Sequence, residues 1–288
     1  MTAFTVPLQH GTARRDGRAL SDIAGETIRR QRVLAAAGML ILAAMAPTLF
    51  AYLVETRTLY GINVWIKPLK FEASIALFFL TLAWFWGYLS PRLRAARAVR
   101  AMAVVVAACG VFEIVYIAIQ AGRGVGSHFN TATQLEGMLF NLMGIGAVLM
   151  TAGTLALAVL IASSGAGVLS SVFRRSVIVG LILTFVLGTG AGIVIAVNGG
   201  HWVGGGAGSD VGGLPIFGWA RDGGDLRVAH FFGIHAMQIL PVFALLAERL
   251  APQRAGVALA VFALGLTGLT IATLLQGLAG RPFLPMLG

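Results

Sequence analysis

Glu113, Tyr116, Gln120 and Arg123 follow one another at spacings of three, four and three residues, within and at the end of an apolar stretch. That is the period of one helix face, so a carboxylate, a phenol, an amide and a guanidinium make a single stripe. Charged side chains are costly in lipid; those inside a membrane span normally face the bundle interior and mark a function. A second stripe, Asn130, Gln134 and Asn141, shares its face with Gly137 and Gly144, whose missing side chains permit close helix approach. A third lies in DLRVAHFFGIHAMQ, where Asp225 is placed to cap a helix. At 100° per residue Arg227, His235 and Gln238 fall within about 80° of one another, while His230 lies roughly 140° from His235. Lys67, Lys70, Ser74 and Thr81 form a fourth stripe, and Thr48, Tyr52 and Glu55 a fifth.

Depth points to a common layer. At a helical rise of about 1.5 Å per residue, Glu113 and His235 each lie roughly 10–12 Å below one membrane surface. Asn141 and Ser74 fall slightly higher, and Gln120, Arg123, His128, Asn130, Arg227, Lys67 and Lys70 higher still. The expected site is a funnel open to the outside, with a His and carboxylate floor and a cationic mouth.

Three chemistries suit such a site. One is binding of a small polar or anionic ligand or an ion, with proton-coupled transport or signalling centred on Glu113 and His235 and with Lys67, Lys70, Arg123 and Arg227 supplying positive potential. A second is redox chemistry at b-type haem or a transition metal held by His128, His230 or His235, two of them on different helices serving as axial ligands. A third is a membrane-embedded hydrolase or transferase with a zinc-bound water, for which His235, Glu113 and His128 must converge. No HExxH motif occurs. A Ser127 nucleophile ranks lower, since adjacent residues rarely point at each other. A retinal Schiff base needs a lysine in the last span, and residues 255–278 contain none. His10 and His201 read as surface residues, and the single Cys109 excludes an intrachain disulfide.

The elements that must carry these residues are transmembrane helices. The 288 residues are 58% hydrophobic and 11% charged, with mean hydropathy +0.87, against about 25% charged in soluble domains. That excludes an ordinary soluble enzyme. Seven stretches reach the roughly 20 apolar residues that a bilayer demands: 33–54, 71–90, 99–120, 135–162, 176–197, 228–247 and 255–278. The expectation is an all-α, seven-helix membrane domain over 33–288, preceded by a basic cytoplasmic segment, 1–32, that lacks a signal-peptide pattern.

Fourteen of the 21 Lys and Arg residues fall on the side that holds the N-terminus. Cytoplasmic loops retain such an excess, so the chain reads as N-terminus in, C-terminus out, in a cell membrane. The net charge of +10 is then a topology signal, and nucleic acid is not an expected partner; the lipid bilayer and a small ligand are. The largest outer connection, 198–227, holds eleven Gly together with His201, Asp210, Arg221, Asp222 and Asp225. It reads either as a flexible surface loop or as a structured lid over the site.

Overall fold

The structure is a computed structural model that describes residues 14–164, 169–205 and 209–285. Its helices are α1 (Arg14–Arg30), α2 (Arg32–Val54), α3 (Ile66–Trp86), the short α4 (Pro91–Ala95), α5 (Arg97–Arg123) and α6 (Gln134–Ser163). α7 (Ser171–Leu183) runs through a π-turn (Thr184–Thr189) into α8 (Gly190–Val197), and α9 (Arg227–Ile234), α10 (Ala236–Leu250) and α11 (Ala255–Leu278) complete the chain. Six of these segments, counting Ser171–Val197 as one, are long and apolar enough to cross a membrane. α9 and α10 pass the same test together but are bent by 53°. The protein is an all-α polytopic membrane protein.

Apolar side chains lie both inside and outside the bundle, as a hydrocarbon solvent allows. Leu34, Phe79, Leu82, Leu157 and Leu181 are fully enclosed, whereas Leu40, Leu53 and Leu264 are largely exposed. Between α2 and α3, β1 (Thr58–Leu59) and β2 (Ile62–Asn63) pair antiparallel. Their two-residue turn, Tyr60–Gly61, has positive φ at both positions, the geometry that matches strand twist in a tight hairpin. A second antiparallel pair, β3 (Trp202–Val203) and β4 (Gly224–Asp225), closes the long loop ahead of α9.

Hydropathy alone implies two unbroken helices over 176–197 and 228–247; the structure interrupts both, and the interruptions face each other. Pro241 removes one helical N–H donor and crowds the carbonyl four residues earlier, and α9 yields to α10 at His235. The Met237 N–H is taken by Thr184 Oγ1 of the π-turn at 3.0 Å. Backbone meets backbone here: a Cβ on Gly233 would stand 2.6 Å from the Gly188 nitrogen, and one on Gly188 would stand 2.7 Å from Ile234 Cγ2. Gly233→Ala is therefore expected to lower stability by about 1–3 kcal/mol, the usual cost of overpacking, read as a fall in thermal unfolding temperature in detergent. Gly265→Ala, which meets nothing within 4 Å, is the matched control and should not fall.

Candidate functional site

One end of the bundle gathers the β1–β2 hairpin, residues 124–133 and the loop 198–226. The loop is tied down, and Arg227 is the pin. Its Nε and NH2 grip both carboxylate oxygens of Asp225 at 2.9 and 2.6 Å, and NH2 also reaches Asp210 Oδ1 and the Gly218 carbonyl, each at 2.8 Å. Asp225 is buried and additionally accepts the N–H groups of Ala220 and Arg227. Lys70 Nζ donates to the Phe217 carbonyl at 2.8 Å, and the Asp210 N–H donates to the Tyr60 carbonyl at 3.0 Å. The described part of the loop is thus a structured lid, and the wide cationic mouth is not formed: Arg227 is neutralised and Lys70 is engaged.

Two lid groups titrate away from their ordinary values. Burial pushes the Asp210 carboxyl up, but the nearby His201 imidazole and the charge and hydrogen bond of Arg227 outweigh it and hold the group below 3.8. Burial is the main cause that lowers His201, opposed by Asp210, whose Oδ1 lies 3.7 Å from His201 Nε2. His201 is not the surface residue expected; its ring packs against Trp202 with centroids 3.8 Å apart. His10 lies outside the described residues.

Beneath the lid runs a line of three ionisable groups from three segments. Lys67 Nζ of α3 is 3.1 Å from His128 Nδ1, and His128 Nε2 is 3.6 Å from Glu113 Oε1 of α5. An ammonium has donors only, so His128 Nδ1 must accept and the ring proton sits on Nε2, aimed at the carboxylate. Burial, reinforced by the charges of Lys67, His201 and His230, holds the His128 imidazole well below its ordinary 6.5, consistent with a neutral ring. Phe71 and Phe140 flank that ring. The loop returns His128 to α5 because Gly124 ends the helix in a left-handed conformation, φ 72°.

The expected pairing of Glu113 with His235 is replaced by Glu113 with His128. His235 sits at the α9–α10 break, its ring 4.5 Å from that of Phe231. Gln238, one turn on, donates to Thr81 Oγ1 at 3.2 Å and ties α10 to α3. Tyr116, Gln120 and Arg123 do form a ladder: Gln120 Nε2 donates to Tyr116 Oη at 3.0 Å and Arg123 donates to Gln120 Oε1 at 2.7 Å. It ends in an ion pair of Arg123 with the buried Glu136 at 3.0 Å, so Arg123 is also not a free anion receptor. The Asn130 side chain accepts the Ala132 N–H within its own turn. Asn141 is exposed, beside Gly144, Ile145 and Val148 on the outer side of α6; helical period groups it correctly with Gln134 but does not say which face turns inward.

For metal or haem, His230 has the most suitable geometry. Its Nδ1 lies 2.9 Å from the Gly188 carbonyl, the arrangement that leaves Nε2 as a lone-pair donor. His128 has both nitrogens engaged. Among the described residues no three His, Cys, Asp or Glu side chains are grouped to hold a metal ion, and Glu113, His128 and His235 do not converge as the zinc reading requires. Ser127 Oγ does approach His128 Nδ1, at 3.2 Å, but Lys67 competes for that one lone pair and Ser127 is buried.

Three buried or ion-paired carboxylates escape the stripe argument. Glu136 opens α6 next to a Thr133 cap, Asp210 lies seventeen residues from its Arg227 partner, and Glu72 is 2% exposed in α3. Glu72 carries a usable signal, an ionisable residue in an apolar span, although it lies off the Lys67–Lys70–Ser74 face. No protein-family model, curated protein or solved structure matches this chain.

Proposed function

We propose that this chain is a seven-span cell-membrane protein, N-terminus cytoplasmic and C-terminus outside, that couples a proton to the handling of a small polar solute at a lidded site near its outer face. The 14-to-7 division of basic residues supports the orientation. The observation that carries the functional reading is the Lys67–His128–Glu113 line, with contacts of 3.1 and 3.6 Å. When the longer gap closes to hydrogen-bond length, the Lys67 ammonium gives a proton to His128 Nδ1 while Nε2–H gives its proton to Glu113. Charge is conserved: an ammonium and a carboxylate become an amine and a carboxylic acid, and the imidazole exchanges one tautomer for the other. A solute that enters beneath the lid meets either an ion pair or a neutral pair, and prefers one. The lid excludes water while the exchange occurs.

Infrared difference spectra of the purified protein across a pH titration test this directly. The wild type should show a protonated-carboxyl C=O band that Glu113→Gln removes and that His128→Gln moves to another midpoint. If no protonated-carboxyl band responds to both substitutions, the relay is overturned.

A further inference from the structure

At the opposite end of the bundle, the end of α1, the start of α2, the end of α3, α4 and the start of α5 line a groove of about 580 Å³. Arg29, Arg30, Arg32, Arg94, Arg97 and Arg100 line it. Glu26 pairs with Arg29 and Arg30 at 2.9 and 2.8 Å; among the described residues the other four have no carboxylate partner, and Arg94 Nε is buried without a hydrogen bond. Helix dipoles make this crowding worse. α2 and α5 both point their N-termini here, neither has an acid in its first turn, and Ala96 offers α5 no side-chain cap. Cations at the positive end of a helix are disfavoured, and the same arrangement is a ready anion site.

The rest of the wall says what kind of anion. Val33 and Val104 are 41% and 52% exposed and, with Ala101, continue the groove along the apolar flank of the bundle. A free phosphate would leave that wall bare; a diacyl phospholipid covers it with a chain while its phosphate sits among the guanidinium groups, which bind phosphate in bidentate fashion. We infer that this groove is a binding site for an anionic phospholipid, with Arg94, Arg97 and Arg100 on the phosphate and Val33, Ala101 and Val104 against the acyl chain. The inference is independent of the relay at the other end.

The full-length protein is reconstituted in dioleoyl-phosphatidylcholine vesicles with and without dioleoyl-phosphatidylglycerol, re-extracted in mild detergent, and its retained phosphatidylglycerol measured by mass spectrometry. At roughly fivefold per arginine, Arg94→Gln/Arg97→Gln should retain it about 25-fold more weakly. Arg94→Lys/Arg97→Lys should keep much of it, and Arg249→Gln/Arg254→Gln, an equal charge change outside the groove, should keep all of it. Monodisperse elution of each variant shows that it folds; if the Gln pair does not, the Lys pair and single Arg97→Gln carry the comparison. Equal retention by the Gln pair, equal loss in the control pair, or displacement of the lipid by millimolar inorganic phosphate overturns the assignment.

Discussion

Arg227→Gln is expected to open the lid and to cost about 3–5 kcal/mol of stability, the range for removing one partner of a buried ion pair. The side chains involved are 25%, 10% and 0% exposed for Arg227, Asp210 and Asp225, so solvent screening does little to soften the loss. Glutamine can keep one hydrogen bond but not the fork, and Asp225 is left as a buried charge without a cation. Arg227→Lys restores charge without the planar geometry and should recover only part of the loss. Trypsin reads the result: Arg221 lies in the lid and is half-buried, so cleavage there should be slow in the wild type and fast in Arg227→Gln, with a fall in unfolding temperature alongside. Unchanged cleavage and unfolding would mean that the loop is held by something other than Arg227.

Acid should loosen the same lock. His201 of the lid and His128 beneath it are held below their ordinary 6.5 chiefly by burial, so below that pH the unfolded chain takes up protons that the closed, folded protein refuses. Their contribution is complete above about 6.5 and is lost progressively as the pH falls. Asp210, held below 3.8, adds a second loss that starts near that value and continues downward through its folded-state value. Both act in one direction, so Arg221 cleavage by an acid-tolerant protease with arginine specificity should rise from neutral pH downward. A lid that opens on protonation is also what a proton-coupled site needs.

Which of these features the sequence carries depends on how local they are. The Tyr116–Gln120–Arg123 ladder is legible because helical spacing alone makes residues three and four apart neighbours. The partner of Glu113 is not, since His128 reaches it only through a glycine-ended helix and a returning loop. Arg227 looks like an anion receptor until Asp210 is brought back across a glycine-rich segment that has no periodicity to read. Asn141 shows the limit of period arguments: phase assigns residues to a face, but only packing turns that face inward, and in α6 it is Glu136 and Met143 that are buried. The broken α9–α10 span was half-visible in Pro241, while its counterpart, the π-turn at Thr184–Thr189, has no proline to announce it.

Glu72 should react slowly but selectively with dicyclohexylcarbodiimide, an apolar reagent that requires a protonated carboxyl and must reach a side chain that is 2% exposed, whereas Glu136, whose carboxylate is paired with Arg123, should not. The argument is one of hydrogen counting. Thr48 Oγ1 lies 2.7 Å from Glu72 Oε1 and 3.0 Å from the Ala44 carbonyl, and a hydroxyl has one hydrogen to give. If Glu72 were a carboxylate, Thr48 would have to abandon Ala44, and Oε2, buried without any partner, would be a bare anionic oxygen about 10 Å into the span. As the neutral acid, Glu72 donates to Thr48, Thr48 donates to Ala44, and the orphan is an uncharged carbonyl. The carboxyl then gives its proton to the carbodiimide nitrogen as its oxygen adds to the central carbon, and the adduct is located by peptide mass spectrometry. Glu72→Gln should abolish labelling of that peptide yet change stability by only about 0.5–1.5 kcal/mol, the worth of one neutral hydrogen bond. A Gln variant more stable by several kcal/mol, as removal of an unpaired buried carboxylate would require, would instead place a charge between α2 and α3.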